Sequence, residues 1–235
     1  MAIKFNQYWD LVCGRKVEYA EFVQEDFLPV MRELGIEIVA GWVVRVGEGP
    51  HIITEGIAAD IRQIQAVLES PAFKAMTIRH MRYVRNYTSK VLVPSGRVKQ
   101  DDLEPPAPGV VKFNQSWNIR PGFEAEYEEV LRGRFIPTLR DLGVEVVAEW
   151  NVLIGSGPYI ILEAHAPDLE TVAKALSDPT YNFAMAHWED LVEDYRSRIL
   201  VRHHLFLEAI REVYGTPIRS ISEEDTSSMY GPQVD

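Results

Sequence analysis

From Ile3 to Trp9 the chain alternates, with Ile3, Phe5, Gln7 and Trp9 on one side and Lys4, Asn6 and Tyr8 on the other. A period of two predicts a strand. The period then changes. Val23, Phe27, Met31 and Leu34 recur at helical spacing and predict one apolar face on a helix from about Lys16 to Leu34. Gly35 ends it in the C′ role, and Pro29 inside it predicts a kink or a tightened turn. Two further strand-like runs, Glu37 to Val46 and His51 to Ala58, flank a short glycine-containing turn and read as a hairpin. Asp60 is a natural N-cap for a helix carrying Ile61, Ile64 and Leu68. Ser70-Pro71 breaks that helix, and a further helical stretch leads to a last strand, Ser89 to Val93.

The same pattern then returns. At a shift of 108 positions, Lys4-Phe5-Asn6-Gln7-Tyr8-Trp9 falls on Lys112-Phe113-Asn114-Gln115-Ser116-Trp117, and Leu34-Gly35 to Gly41-Trp42 falls on Leu142-Gly143 to Glu149-Trp150. Roughly a third of paired positions are identical without a gap, which reads as a tandem repeat. The chain therefore divides into a first module (1–93), a proline-rich linker (94–110) with Pro105, Pro106 and Pro108, a second module (111–202), and a C-terminal helix and acidic tail (203–235). Proline at this density predicts a stiff extended linker.

Each module reads β-α-β-β-α-β, the ferredoxin-like plan, an α+β class in which two helices cover one face of an antiparallel sheet. The bare face carries Trp, Ile and Val and must be buried as well. Two such modules can bring their sheets together as an α/β barrel.

Charge and composition narrow the partners. A net charge of −11 disfavours nucleic acid and anionic membrane surfaces. Cys13 is the only cysteine, so neither an intrachain disulfide nor a thiolate zinc site is possible. The apolar runs are too short to span a bilayer, and the N-terminus lacks a leader pattern, so a cytoplasmic protein is expected.

The element order, with Trp117-Asn118-Ile119-Arg120-Pro121-Gly122 after the first strand of the second module, Leu142-Gly143 running into Val147-Ala148-Glu149-Trp150, and Ser197-Arg198-Ile199-Leu200 in its last strand, resembles the dimeric α/β-barrel superfamily and within it NIPSNAP-type domains. The first module departs from that wording, with Cys13-Gly14 in place of Pro121-Gly122. The resemblance implies a central cavity between the paired sheets. Its members include cofactor-independent oxygenases, cyclases, isomerases and haem enzymes, so the fold leaves the reaction open.

A four-residue hairpin turn would set Ile154 opposite Tyr159 and Trp150 opposite Glu163. One sheet face then carries Ala148, Trp150, Val152, Tyr159, Ile161, Glu163 and His165, matched by Ala40, Trp42, Val44, His51, Ile53, Glu55 and Ile57. This is the expected cavity face. Glu163 or His165 is a candidate general base, with Tyr159 beside them; Trp150, Asn114, Trp42, Glu55 and His51 are candidate ligand-binding residues. The alternative for each glutamate is a structural carboxylate hydrogen-bonded across the barrel. One residue of Asn6-Gln7 and one of Asn114-Gln115 must face the cavity, while Trp9 and Trp117 read as core. No metal site is expected. Haem would need an axial ligand such as His80 or His187. Three functions follow: a cofactor-independent enzyme moving a proton on, or oxygenating, a largely apolar carbonyl or phenolic molecule; a non-catalytic binding or assembly protein; and a haem protein. A small apolar ligand in the cavity and a homo-oligomer are the expected partners.

Overall fold

A computed structural model describes residues 3–99, 107 and 109–214. Pro105, Pro106 and Pro108 of the linker and the acidic tail beyond Tyr214 lie outside the described residues. Both modules have the expected element order. The first contains β1 (Ile3–Leu11), α1 (Lys16–Phe22), α2 (Leu28–Glu33), β2 (Glu37–Val46), β3 (Ile52–Ala58), α3 (Ile61–Glu69), α4 (Pro71–His80) and β4 (Val84–Pro94). The second contains β5 (Val111–Ile119), α5 (Glu124–Val130), α6 (Ile136–Asp141), β6 (Glu145–Ile154), β7 (Ile160–Ala166), α7 (Leu169–Ser177), α8 (Pro179–Glu189) and β8 (Val192–Arg202), followed by α9 (His204–Tyr214).

Local chemistry explains most of these boundaries. Asp60 and Asp168 accept hydrogen bonds from the amides of Gln63 (2.9 Å) and Thr171 (2.7 Å), capping α3 and α7. Gly35 and Gly143 adopt positive φ of 75° and 81°, which a side chain would strain. The first helix of each module widens instead of tightening. A π turn, Val23–Phe27 or Leu131–Phe135, precedes the segment bearing Pro29 or Pro137. Proline has no amide to donate and would collide with the preceding turn, and a π turn accommodates both defects. The last strands are longer than the hydrophobic run predicts. Asn86 and Asp194 sit at φ 54° and 55° where the pairing of β1 with β4 and of β5 with β8 shifts, and these bulges interrupt the alternation that would have marked the full strand.

The eight strands form one closed barrel in the order β1-β3-β2-β8-β5-β7-β6-β4. Each module supplies four consecutive strands, and β2 with β8 and β4 with β6 seal the two seams by antiparallel pairing. Closure leaves no sheet edge exposed. It also corrects the expected hairpin register. Trp150 lies opposite Ile161, and Ala148 lies opposite Glu163, a slip of two residues. The slip arises because the turn is two residues longer than expected: Val152 still bonds Tyr159 and Val44 still bonds His51 (2.8 Å each), while the other edges of β2 and β6 pair across the seams, Val44 with Leu200 and Val152 with Leu92. A slip of two preserves which face each residue occupies, so the predicted cavity face survives.

Helices cover the outside of the barrel, and the two halves are finished differently. On the first, α9 lays Phe206, Ala209 and Ile210 into the core beside Trp9 and Phe27. Gly41 on β2 makes room for it: a Cβ there would stand 2.4 Å from the Phe206 ring. At the matching position on β6 the second half has Glu149, fully buried, which accepts hydrogen bonds from Arg97 (2.6 Å) and from the Tyr127 hydroxyl. Arg97 belongs to the linker, whose start is also pinned by the Ser95 amide on the Glu149 carbonyl (3.0 Å). Thus α9 completes one half and the linker completes the other. Replacement Gly41→Ala should cost about 1–3 kcal/mol through overpacking. In a Phe206→Ala background the same change should cost much less. Urea unfolding of the four variants checks this; equal costs in both backgrounds would mean that Gly41 does not serve α9.

Candidate functional site

The lumen is built from the inward residues of all eight strands. At its centre lie four charged side chains, Lys4 of β1, Glu55 of β3, Lys112 of β5 and Glu163 of β7, each no more than 4% exposed. Lys4 Nζ donates to both oxygens of Glu163 (2.9 and 2.7 Å) and lies 3.2 Å from Glu55 Oε1. Lys112 Nζ donates to Glu55 Oε1 (2.5 Å) and lies 2.9 Å from Glu163 Oε1. Each lysine therefore touches both glutamates, and the principal bonds join one half of the chain to the other. The lysines lie over indole rings, Lys4 5.1 Å from the centre of Trp150 and Lys112 5.1 Å from that of Trp42.

Burial alone would push Glu55 up, but Lys112 and Lys4 together outweigh it and hold the carboxyl well below the usual range. Burial likewise opposes the charge on Lys4, and the attraction of Glu163 and Glu55 raises it nonetheless. Two positive and two negative charges in alternation satisfy one another, which is the condition under which buried ions are tolerated. Glu163 and Glu55 thus occupy the lumen as expected, in the structural arrangement. The missing partners were Lys4 and Lys112. Their signal was available: a repeated lysine stands on the polar side of strand one, the strand that pairs beside each glutamate.

Trp42, Trp150 and Asn114 also face the lumen. Asn6 and Asn114 point inward, whereas Gln7 and Gln115 face the helices and accept from Tyr87 (2.7 Å) and Tyr195 (2.8 Å). Trp9 and Trp117 lie in the outer cores, hydrogen-bonded to Tyr19 and Tyr127. His165 lies beside the tetrad, paired across the ladder with Lys112; burial and the Lys112 charge lower its pKa to about 4, so the ring is neutral at pH 7.

Two expected cavity residues are elsewhere. Tyr159 is 55% exposed, and its amide is held by the Asn118 side chain (2.9 Å). His51 is also exposed and bonds Asp10 through its amide (2.9 Å) and Nδ1 (2.6 Å). Both stand at the edge of the hairpin turns, their carbonyls accepting from the amides of Val152 and Val44 (2.8 Å each), and clamp those turns to the first strand of their own half. They form no constellation with Glu163 and His165.

The haem candidates do not converge either. His80 is buried among Trp9, Tyr19, Phe22, Phe27 and Tyr87, with ring centres 4.6–6.1 Å away. Its counterpart in the second half is Trp188, stacked on Phe135 at 4.4 Å. His80 is therefore a packing aromatic, and His187 lies on the exposed side of α8. Neither stands in the lumen, and His80 Nε2 has no hydrogen-bond partner. Among the described residues no cluster of histidine, cysteine and carboxylates is suited to a metal, and no helix is long and apolar enough to cross a membrane.

The hairpin end of the lumen carries a second set that sequence reasoning passed over. Lys90 on β4 is the ladder partner of Asn6, and Arg198 on β8 is the partner of Asn114. The two occupy matching positions in the halves, on strands diametrically opposed in the barrel. Both are partly buried. Among the described residues neither has a carboxylate partner, and the carbonyl oxygens of Asn6 and Asn114 have no hydrogen-bond partner. Asn6 is also the ladder partner of Glu55 and Asn114 that of Glu163, so each cation stands two strands from a tetrad carboxylate. Val44, Ile53, Val152 and Ile161 belong to the apolar clusters of the lumen. Burial, with Arg198 and Arg196 adding repulsion, lowers the Lys90 amine to about 8.

No family model matches the chain, and no curated protein matches it. Solved structures do. A heme-binding protein from Thermus thermophilus is 15% identical over 92% of this chain and 95% of its own, with a TM-score of 0.58. An anthrone oxidase-like protein is 12% identical over 86% of this chain and 91% of its own, with a TM-score of 0.56. A NIPSNAP domain protein from Burkholderia xenovorans is 18% identical over 43% of this chain and all of its own, with a TM-score of 0.34. The chain shares the fold of the first two of these proteins, with all eight strands of the barrel in one polypeptide.

The tetrad predicts that Glu163→Gln destabilises the protein by about 3–5 kcal/mol, since it strands a buried positive charge. The double variant Lys4→Met/Glu163→Gln, which leaves the neutral Lys112–Glu55 pair, should recover part of that loss in denaturant titrations. A Glu163→Gln protein as stable as the parent would remove the tetrad from the account.

A separate prediction concerns acid. Burial pushes His80 down to about 3, so between that value and the ordinary 6.5 the unfolded chain binds a proton that the folded chain refuses. The stability that neutral His80 contributes is present above pH 6.5 and is lost as pH falls. It should decline by about 1.4 kcal/mol per pH unit from this residue below 6.5. His80→Trp, copying the second half, should flatten the profile between pH 6.5 and 5; an unchanged slope in urea unfolding would contradict the assignment.

Proposed function

We propose that this chain is a small-molecule enzyme that moves a proton on a largely apolar carbonyl or phenolic compound held at the hairpin end of the barrel. The observation that carries the reading is the pair Lys90 and Arg198, partly buried at matching positions with no carboxylate to neutralise either. A desolvated cation without a counter-ion is costly, and an enolate or phenolate oxygen placed between the two removes that cost. The apolar ring of Val44, Ile53, Val152 and Ile161 suits the body of such a ligand. Asn6 and Asn114 offer carbonyl oxygens to a hydroxyl or N–H of it. The chemistry draws on these side chains and on no bound haem or metal. Neighbours of this fold described as anthrone oxidase-like and heme-binding are in keeping with a small-molecule role.

Glu163 and Glu55 stay in the tetrad in this reading and shape the floor of the site. A second reading is a binding protein without chemistry, favoured by the filling of the lumen's centre with Trp42, Trp150 and four paired charges.

4-Nitrophenol tests the site, because its ionised form absorbs in the visible. Bound to the parent protein it should ionise at a lower pH than in free solution, and Arg198→Met or Lys90→Met should abolish that shift. No binding, or binding unaffected by either substitution, would contradict the site. Deuterium uptake at a carbon next to a bound ketone's carbonyl in heavy water separates the two readings: catalysed uptake marks the enzyme, and binding without uptake marks the binding protein.

A further inference from the structure

Lys90 differs from Arg198 in one chemical respect, since an amine that has lost its proton is a nucleophile and a guanidinium is not. We propose that Lys90 captures the carbonyl carbon of a small oxo acid as an imine, while Arg198 holds that acid's carboxylate. The proposal rests on the hairpin-end site described above and names its ligand class.

The surroundings of Lys90 suit a reactive amine. Its stem is covered by the β6–β7 turn, where a Cβ at Gly155 would stand 3.0 Å from Lys90 Cγ. Inward on its own strand lies Leu92, and outward lies Thr88. Across the ladder, Asn6 faces it with a carbonyl oxygen that nothing in the protein engages. The charged groups that act on it are Arg198 and Arg196, both positive, and no carboxylate opposes them. An amine brought to about 8 by burial and these two arginines is roughly one-quarter neutral at pH 7.5, against about a thousandth for an ordinary lysine. On the opposite strand the Arg198 stem lies against Gly47 and its guanidinium against Gly49 of the other hairpin turn, where a Cβ would stand 3.0 Å from Cγ and 2.3 Å from Nη2, so the glycines leave room for the guanidinium at that turn. A guanidinium binds a carboxylate in bidentate fashion, leaving the adjacent carbonyl directed at the far wall, where Lys90 stands.

The step balances without a redox partner. The neutral amine adds to the carbonyl carbon, and a proton passes from nitrogen to the carbonyl oxygen, giving a carbinolamine. The carbon–oxygen bond then breaks as water departs with the second amine proton, leaving a carbon–nitrogen double bond. The Asn6 carbonyl oxygen is placed to accept from the carbinolamine hydroxyl.

The test uses the intact protein, pyruvate as probe and cyanoborohydride to trap any imine, with labelled lysines located by peptide mass spectrometry. Lys90 should be labelled at least tenfold faster than any other lysine at pH 7.5. With acetaldehyde, which lacks a carboxylate, Lys90 labelling should rise with a midpoint near pH 8, and Arg198→Met should move that midpoint upward and slow pyruvate labelling at least tenfold. Labelling of Lys90 no faster than surface lysines, or with their pH profile, overturns the proposal. Thermal shift with benzoate, a carboxylate without a reactive carbonyl, separates the two failures. If benzoate stabilises the parent but not Arg198→Met while Lys90 stays unlabelled, the imine is wrong and the site stands. If neither signal appears, both are wrong.

Discussion

The protein is organised around four buried charges. Lys4, Glu55, Lys112 and Glu163 meet at the centre of the barrel, and the bonds among them run mainly between the halves. Any one of these groups alone in a lumen walled by tryptophan would be prohibitive. Together they require the two sheets to close in a single register, because a shift would leave a charge without its partner. Apolar burial supplies most of the driving force for folding, and the tetrad selects which closed arrangement that force produces.

The tetrad also decides where chemistry can occur. Each carboxylate is bonded by both lysines, so the centre of the lumen serves as a floor. Beside it the carbonyl oxygens of Asn6 and Asn114 are left unengaged, and next to them on the neighbouring strands stand Lys90 and Arg198, without a carboxylate partner among the described residues. The two halves are alike at the tetrad and differ at this mouth: Lys90 corresponds to Arg198, Tyr8 to Ser116, and Thr88 to Arg196. The shared residues hold the barrel and the divergent ones line its entrance.

Much of the fold was legible because it rests on local rules. The alternation of Ile3 to Trp9, the helical stripe Val23, Phe27, Met31, Leu34, and the caps at Asp60 and Asp168 each act over a few residues. The inward face of the hairpins was legible for the same reason, since parity outlasts an error of two in register. Lys4 and Lys112 were passed over despite their repetition, because a lysine in a strand reads as exposed until its counter-ion, far along the chain in the other half, is known to stand opposite. Tyr159 and His51 were placed in the cavity by extending the alternation to the edge of the turn, where their backbones still bond Val152 and Val44 but Asn118 and Asp10 hold them at the surface. Lys90 and Arg198 lay inside the strands read from the sequence, but a cation at a strand position reads as solvent-facing until the closed barrel shows which side is the lumen. His80 was read as a possible axial ligand, but its place was set by the aromatic core, where its imidazole substitutes for the indole of Trp188.

The most direct test of this division between floor and mouth is a crystal structure of the protein with 4-nitrophenol bound. The account predicts the phenolate oxygen between Lys90 and Arg198, the ring against Ile53 and Ile161, and all four tetrad contacts intact. A ligand seated against Glu163 and His165, with Lys4 or Lys112 displaced, would contradict it.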